Sequence, residues 1–247
     1  MNKTRNLALF GATYFIGLLF ITAPASLLIL PVQHFSAARL SLANCQGTIW
    51  HGSATPVLHS GKNAGIPLHT LSWHIRPLAL LRGQLNAALS WDDSVTPMEL
   101  TLSRKSVTLT PVLLPLPAEV LGELSPYLRP ARLGGSLLIE SPQLSYSDDH
   151  LQGNARTRWS NASSAMSAVH PLGDYQIDIV AKQDSLNAVL TTLNGALLLE
   201  GQGNWSPARK FHFNGTAHAA PGFQAMLGEL LNNLGPEVSP DVYGISL

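Results

Sequence analysis

A mainly β domain behind one N-terminal membrane-spanning helix is the architecture this sequence predicts. Three observations carry it: an uncharged apolar run near the start, period-two alternation of apolar residues through most of the chain beyond that run, and turn-forming pairs between the alternating stretches. The sheet is expected to be antiparallel and rolled or curved, with two or three short helices.

The apolar run extends from Leu7 to Val32 without a charge, longer than the roughly 20 residues a spanning helix needs. Lys3 and Arg5 precede it with no acidic residue beside them, so the positive-inside rule puts the N-terminus in the cytoplasm and the rest across the membrane. Pro24 and Pro31 fall in its last third and should kink or end the helix, which places the spanning core at Leu7 to Leu28. The expected organisation is a cytoplasmic N-terminus over residues 1–6, a transmembrane signal anchor over 7–32 and a periplasmic mainly-β domain over 33–247. Ala23-Pro24-Ala25 resembles a signal-peptide cleavage site, but the apolar run continues past it through Leu30, which favours a retained anchor.

Strand expectations follow the alternation: Ile66 and Leu68; Leu71, Trp73 and Ile75; Leu85, Ala87, Leu89 and Trp91; Leu100 and Leu102; Val107 and Leu109; Ile177 and Ile179; Leu197 and Leu199. Turn formers punctuate them at Gly52-Ser53, Gly61 to Asn63, Asp92-Asp93, Gly134-Gly135, Asp148-Asp149 and Gly173-Asp174. Asn194-Gly195 and Asn214-Gly215 add hairpin signals of the primed-turn type.

Two segments leave period two. Residues 117–128 open on Pro117 with Glu119 in the first turn and Pro126 as a limit, which suits a short helix. Residues 221–234 place Phe223, Met226, Leu227, Leu230, Leu231 and Leu234 at three-four spacing before Gly235-Pro236, which predicts the better helix. A further helical turn is expected at Pro77 to Leu81. The five tryptophans each stand near the end of an expected strand, where the ring closes an apolar layer and the indole N–H lies near solvent.

Composition restricts the chemistry. Fifteen Lys and Arg balance fifteen Asp and Glu, so no net charge points to a nucleic acid, and none is expected as a partner. Cys45 is the single cysteine, which excludes an intrachain disulfide and multi-cysteine metal sites. The sequence has no nucleophile elbow, zinc helix, phosphate loop or dinucleotide fingerprint. The nine histidines show no helix-borne ligand spacing, and Asp92-Asp93 and Asp148-Asp149 read as turn residues. No catalytic residue, metal or cofactor is expected.

Two blocks at a characteristic separation then stand out: Gly47-Thr48-Ile49-Trp50-His51-Gly52, and Leu71-Ser72-Trp73-His74-Ile75-Arg76-Pro77 running on to Gly83. Further on come Leu116 to Leu121, Leu172-Gly173-Asp174-Tyr175 after Pro171, and Gly201-Gln202-Gly203-Asn204-Trp205. In this order, over nearly the whole chain, they resemble the type II secretion system protein N (GspN-like) family, an inner-membrane accessory component of the bacterial general secretion pathway. The resemblance implies a single-pass inner-membrane protein that works with other subunits of that apparatus.

Read physically, these blocks are structural. Gly47 and Gly52 suggest tight backbone around Trp50, Trp50 and Trp73 are expected in the core, and Arg76 needs a carboxylate, with Asp92, Asp93 and Glu99 as candidates. The expectation is a non-enzymatic assembly or structural subunit. The alternative is a membrane-tethered lipid- or glycolipid-handling module, which would show a continuous apolar groove. An envelope hydrolase is least favoured by the missing motifs.

Overall fold

The computed structural model describes residues 14, 17, 18, 20–59, 65–92, 96–124, 128–207 and 210–246. Strand accounts for 57% of the chain, so the fold is mainly β and antiparallel with a few short helices. The chain divides into two compact units, residues 1–97 and 98–247.

In the first unit β1 (Leu40–Gly47), β2 (His51–Leu58), β4 (Leu71–Arg76) and β5 (Leu85–Trp91) pair consecutively and antiparallel, with β3 (Ile66–Pro67) alongside the end of β2. Ahead of them come a 3-10 turn, Ala25–Leu28, and helix α1 (Ile29–Phe35). Another 3-10 turn, Pro77–Arg82, connects β4 to β5.

The apolar N-terminal run does not continue as one helix to Val32. Residues 20–22 are helical, but Pro24 is extended at φ −70° and ψ 148° and bridges Thr48. Proline cannot continue the hydrogen-bond ladder, and the small Ala25 behind it is buried against Ala54 and Trp73. The chain from Ala23 onward therefore packs on its own sheet. Among the described residues no helix is long and apolar enough to cross a membrane, and residues 7–13, 15, 16 and 19 of the expected anchor, with the expected cytoplasmic N-terminus 1–6, lie outside them.

The second unit comprises β6 (Met98–Leu102), β7 (Ser106–Thr110), β8 (Val112–Pro117), helix α2 (Val120–Leu124), the 3-10 turn Arg129–Ala131, β9 (Gly134–Ser141), β10 (Leu144–Ser147), β11 (His150–Ser163), β12 (Gly173–Lys182), β13 (Ser185–Gly195), β14 (Leu197–Ser206), β15 (Lys210–Ala219), helix α3 (Gln224–Leu234), β16 (Glu237–Ser239) and β17 (Val242–Ser246). From β11 the pairing runs through β12, β13, β14 and β15 to β17 and β16. On its other side the long β11 pairs with β10 along its first part and β9 along its second. β7 and β6 continue from β10, and β8 from β9. The sheet is not closed, and bulges after Trp159 and Asp174 bend it.

The registers give this sheet two unlike faces. One row across it reads Ile139, Thr157, Ile177, Leu190, Gly201, Gly215, Ile245; one residue along, the row reads Glu140, Arg156, Asp178, Val189, Gln202, Asn214. Side chains alternate between faces, so a single register separates an apolar face from a polar one. Helix α3 covers the apolar face at one end, where Leu227, Leu230 and Leu231 are buried with Leu172, Leu197, Ala217 and Ala219.

Local turn signals succeed where no second strand competes. Asp148 and Asp149 adopt left-handed φ values of 49° and 66° and close the β10–β11 hairpin. Asn214-Gly215, expected as a hairpin, lies inside β15, because β14 and β17 occupy both of its edges. Gly52-Ser53 likewise lies within β2, and Gly134-Gly135 within β9.

The neutral total conceals a division of charge. Residues 1–97 hold six Lys and Arg against two Asp, and residues 98–247 nine against thirteen Asp and Glu, giving +4 and −4. No acidic residue precedes Asp92.

Candidate functional site

The first two signature blocks meet at one end of the first unit. Gly47 closes β1 at φ +80°, where a Cβ would stand 2.4 Å from the His51 carbonyl oxygen; only glycine tolerates both the conformation and the approach. Gly52 pairs with Gly47 and with Trp73, and a Cβ there would meet the Trp73 ring at 2.7 Å. Trp73 thus lies against the Gly52 backbone, 8% exposed, and donates its indole N–H to the Ile49 carbonyl at 3.1 Å.

Trp50 is 9% exposed and donates its indole N–H to the Phe20 carbonyl at 2.8 Å, with the two rings edge to face at 4.7 Å. The Ile49 amide bonds the Ala23 carbonyl at 2.9 Å. The block therefore clasps the end of the N-terminal helix to the sheet. Beside it, the Ile75 amide donates to the Trp50 carbonyl at 2.7 Å, and the rings of His51 and His74 meet at 3.8 Å. Arg76 follows as the cap of the 3-10 turn, with Pro77 at its first position and Gly83 left-handed at its end. Arg76 has a partner. Of the carboxylates expected to pair with it, Asp92 is held by His69 and by the Thr70 amide, and Asp93 lies outside the described residues.

The block Leu172 to Tyr175 forms a buried corner of the second unit. Leu172 belongs to the core under α3, and Gly173 starts β12 opposite Gly195. Asp174 accepts from the Asn161 amide at 2.7 Å and from the Asn194 side chain at 3.0 Å, fixing the bulged β11 to β13. Tyr175, 1% exposed, donates its hydroxyl to the Leu197 carbonyl at 2.9 Å. Burial, and then the charge of Asp174, push its phenol well above the ordinary tyrosine range.

In the block Gly201 to Trp205, Gly201 makes room for the ring of Phe213, which a Cβ would meet at 2.4 Å. Trp205 departs from the expected core role and is 43% exposed. It stands at the far end of β14, where the covering helix does not reach, opposite Leu186 and Phe211. The indole N–H groups also differ from expectation. Those of Trp50, Trp73 and Trp159 bond backbone carbonyls, the last to Gly134 at 3.0 Å.

Two features escaped the sequence reading. Tyr146, Leu151, Leu186, Trp205 and Phe211 line a cavity of about 580 Å³ at the uncovered end of the second unit's sheet. Leu78 and Leu81 on the 3-10 turn are 77% and 85% exposed. The acid-free first 91 residues could have drawn attention to the latter. Among the described residues no group of three His, Cys, Asp or Glu side chains comes together as a metal site. The charged pair Arg156 and Asp178, 2.8 Å apart, lies on the polar face. There the guanidinium and then Gln176 hold the Asp178 carboxyl below its ordinary range.

The type II secretion system protein N family model matches residues 38–246, spanning all five blocks. The chain belongs to that family. No curated protein and no solved structure matches it. As a type II secretion system protein N, the chain is a component of protein secretion, which puts it in the cell envelope with other subunits of the apparatus as partners. The match begins at residue 38, beyond the apolar run, and takes in strands of both units.

Proposed function

We propose that this protein is a non-enzymatic assembly subunit of the type II secretion apparatus, tethered to the inner membrane by its N-terminal run with both β units in the periplasm. The observation that carries the reading is the clasp of Trp50 on Phe20, which fastens the end of an apolar helix to a unit whose Gly47, Gly52, Trp50 and Trp73 are spent on packing. Nothing in those blocks gathers an acid, a base and a nucleophile. With the chain from Ala23 folded back on the sheet, the tether is the sixteen residues Leu7 to Thr22. They would reach about 24 Å as a helix, short of the roughly 30 Å hydrocarbon core. A short tether draws the folded unit down to the lipid surface.

A second reading has its own observation. The apolar face of the second unit continues past α3 to the cavity beside Trp205, the kind of groove a lipid- or glycolipid-handling module needs. Deleting the gene in its host separates the two: loss of exoprotein secretion with normal outer-membrane lipid asymmetry supports the assembly role, and a lipid defect with normal secretion supports the groove. N-terminal sequencing of the mature protein tests the tether. Recovery of a chain starting at Ser26 would end it.

A further inference from the structure

The 3-10 turn Pro77–Arg82 leaves the sheet at the end where the N-terminal helix arrives. β4 runs from Leu71, opposite Ala54, to His74, opposite His51, and then passes the Trp50 carbonyl. Trp50 in turn holds Phe20. The chain beyond Arg76 therefore projects beside the point where the apolar helix, with Phe20 and Ile21 exposed, joins the domain.

The turn is a built knuckle. Proline starts it, left-handed Gly83 ends it, and the amides of Gly83 and Gln84 close on the carbonyls of Leu80 and Ala79 at 2.9 and 3.2 Å. On it Leu78, Leu81 and Arg82 are exposed. An apolar tip flanked by a base, on a unit with no acidic residue before Asp92, suits a surface that is apolar within and anionic outside.

We propose that Pro77–Arg82 is a second membrane contact, in which Leu78 and Leu81 enter the headgroup region of an anionic phospholipid bilayer and Arg82 meets its phosphates. The occupant is the lipid surface itself. This deepens the tethered reading by naming the surface the domain touches once the tether holds it, yet it stands on its own residues.

The test uses the full chain in vesicles of equal parts phosphatidylglycerol and phosphatidylcholine, with Cys45→Ser and an environment-sensitive fluorophore on Leu81→Cys. The emission should shift to the blue and be lost on adding doxyl-labelled lipid. A probe on Asn187→Cys, exposed on the polar face of the second unit, should do neither, and Leu78→Asp should abolish the shift at position 81. Hydrogen exchange of the unlabelled chain in nanodiscs of the same lipids should show slower exchange over residues 78–84 than in pure phosphatidylcholine. A probe at position 81 that iodide quenches as readily as one at 187 would overturn the proposal and leave a protein partner as the occupant. Equal shifts with and without phosphatidylglycerol would overturn the assignment to anionic headgroups. Carbonate extraction separates the tether: a retained chain with a wet probe at 81 defeats only this contact. An extractable chain whose probe is quenched by doxyl lipid defeats only the tether.

Discussion

The two units bury their chains by different means. In residues 1–97 the buried cluster is Ala25, Ala54 and Trp73, with Leu28, Leu42, Cys45, Ile75 and Leu89 half-buried around it. Small residues let backbone segments approach until an indole can bond the next carbonyl. In residues 98–247 a helix lays Leu227, Leu230 and Leu231 on the apolar face of a long sheet. The first unit is held by two rings and the glycines beside them, the second by ordinary aliphatic packing over one end of a two-faced sheet. Their charges differ in the same sense, +4 against −4.

Removing either support should have the largest effect. Trp73→Ala should cost about 3–5 kcal/mol and Leu227→Ala about 2–5 kcal/mol, each a large part of a domain's 5–15 kcal/mol. If the units are as separate as their cores, limited proteolysis should open residues 1–97 in the first variant and residues 98–247 in the second. Loss of both units from either change would break the comparison. Trp50→Ala should behave like Trp73→Ala; normal accumulation and melting with lost secretion would instead make that ring a partner contact.

Trp50→Phe is a finer probe. It keeps an aromatic ring beside Phe20 but removes the donor to its carbonyl, which should cost about 1 kcal/mol. The expected result is faster cleavage between residues 20 and 26 with the second unit's melting unchanged.

Tyr175→Phe should cost the second unit a similar amount, about 1 kcal/mol, through the lost bond to Leu197. Its pH dependence has a definite sign. Because burial raises the folded phenol above its unfolded value near 10, the unfolded chain releases the proton first. Stability is full below about pH 10 and falls as the pH rises beyond it. Thermal melts at rising alkaline pH should show that decline in the native protein and less of it in Tyr175→Phe. The smallest effect belongs to Arg156→Ala. Its pairing with Asp178 is half in solvent on the polar face, so the melting temperature should not measurably move.

Much of this architecture was legible because period-two patterning is local. Ile177 and Ile179, or Leu197 and Leu199, declare their face whichever strand lies beside them, and the three-four spacing of Leu227, Leu230 and Leu231 declares a helix in the same way. The blocks around Trp50, Trp73 and Tyr175 were legible too, as places where glycine and a large ring must be neighbours. Burial was less so. Trp205 has the same strand-end setting as Trp50, but Trp50 is buried against Phe20 and Trp205 stands 43% exposed in the wall of an open cavity.

By itself, then, the sequence determined a mainly β chain with amphipathic strands, the sites of its short helices and an apolar, base-flanked start. Only the tertiary structure decided that Ala23 to Val32 turns back onto the sheet, that Asn214-Gly215 continues a strand, and that Leu78 and Leu81 stand outside. The physical reason is that propensity and periodicity act over a few neighbouring residues. Which strand occupies an edge, and which segment covers a ring, is settled by pairings such as Pro24 with Thr48 or Gly215 with Gly201, made between residues distant in sequence.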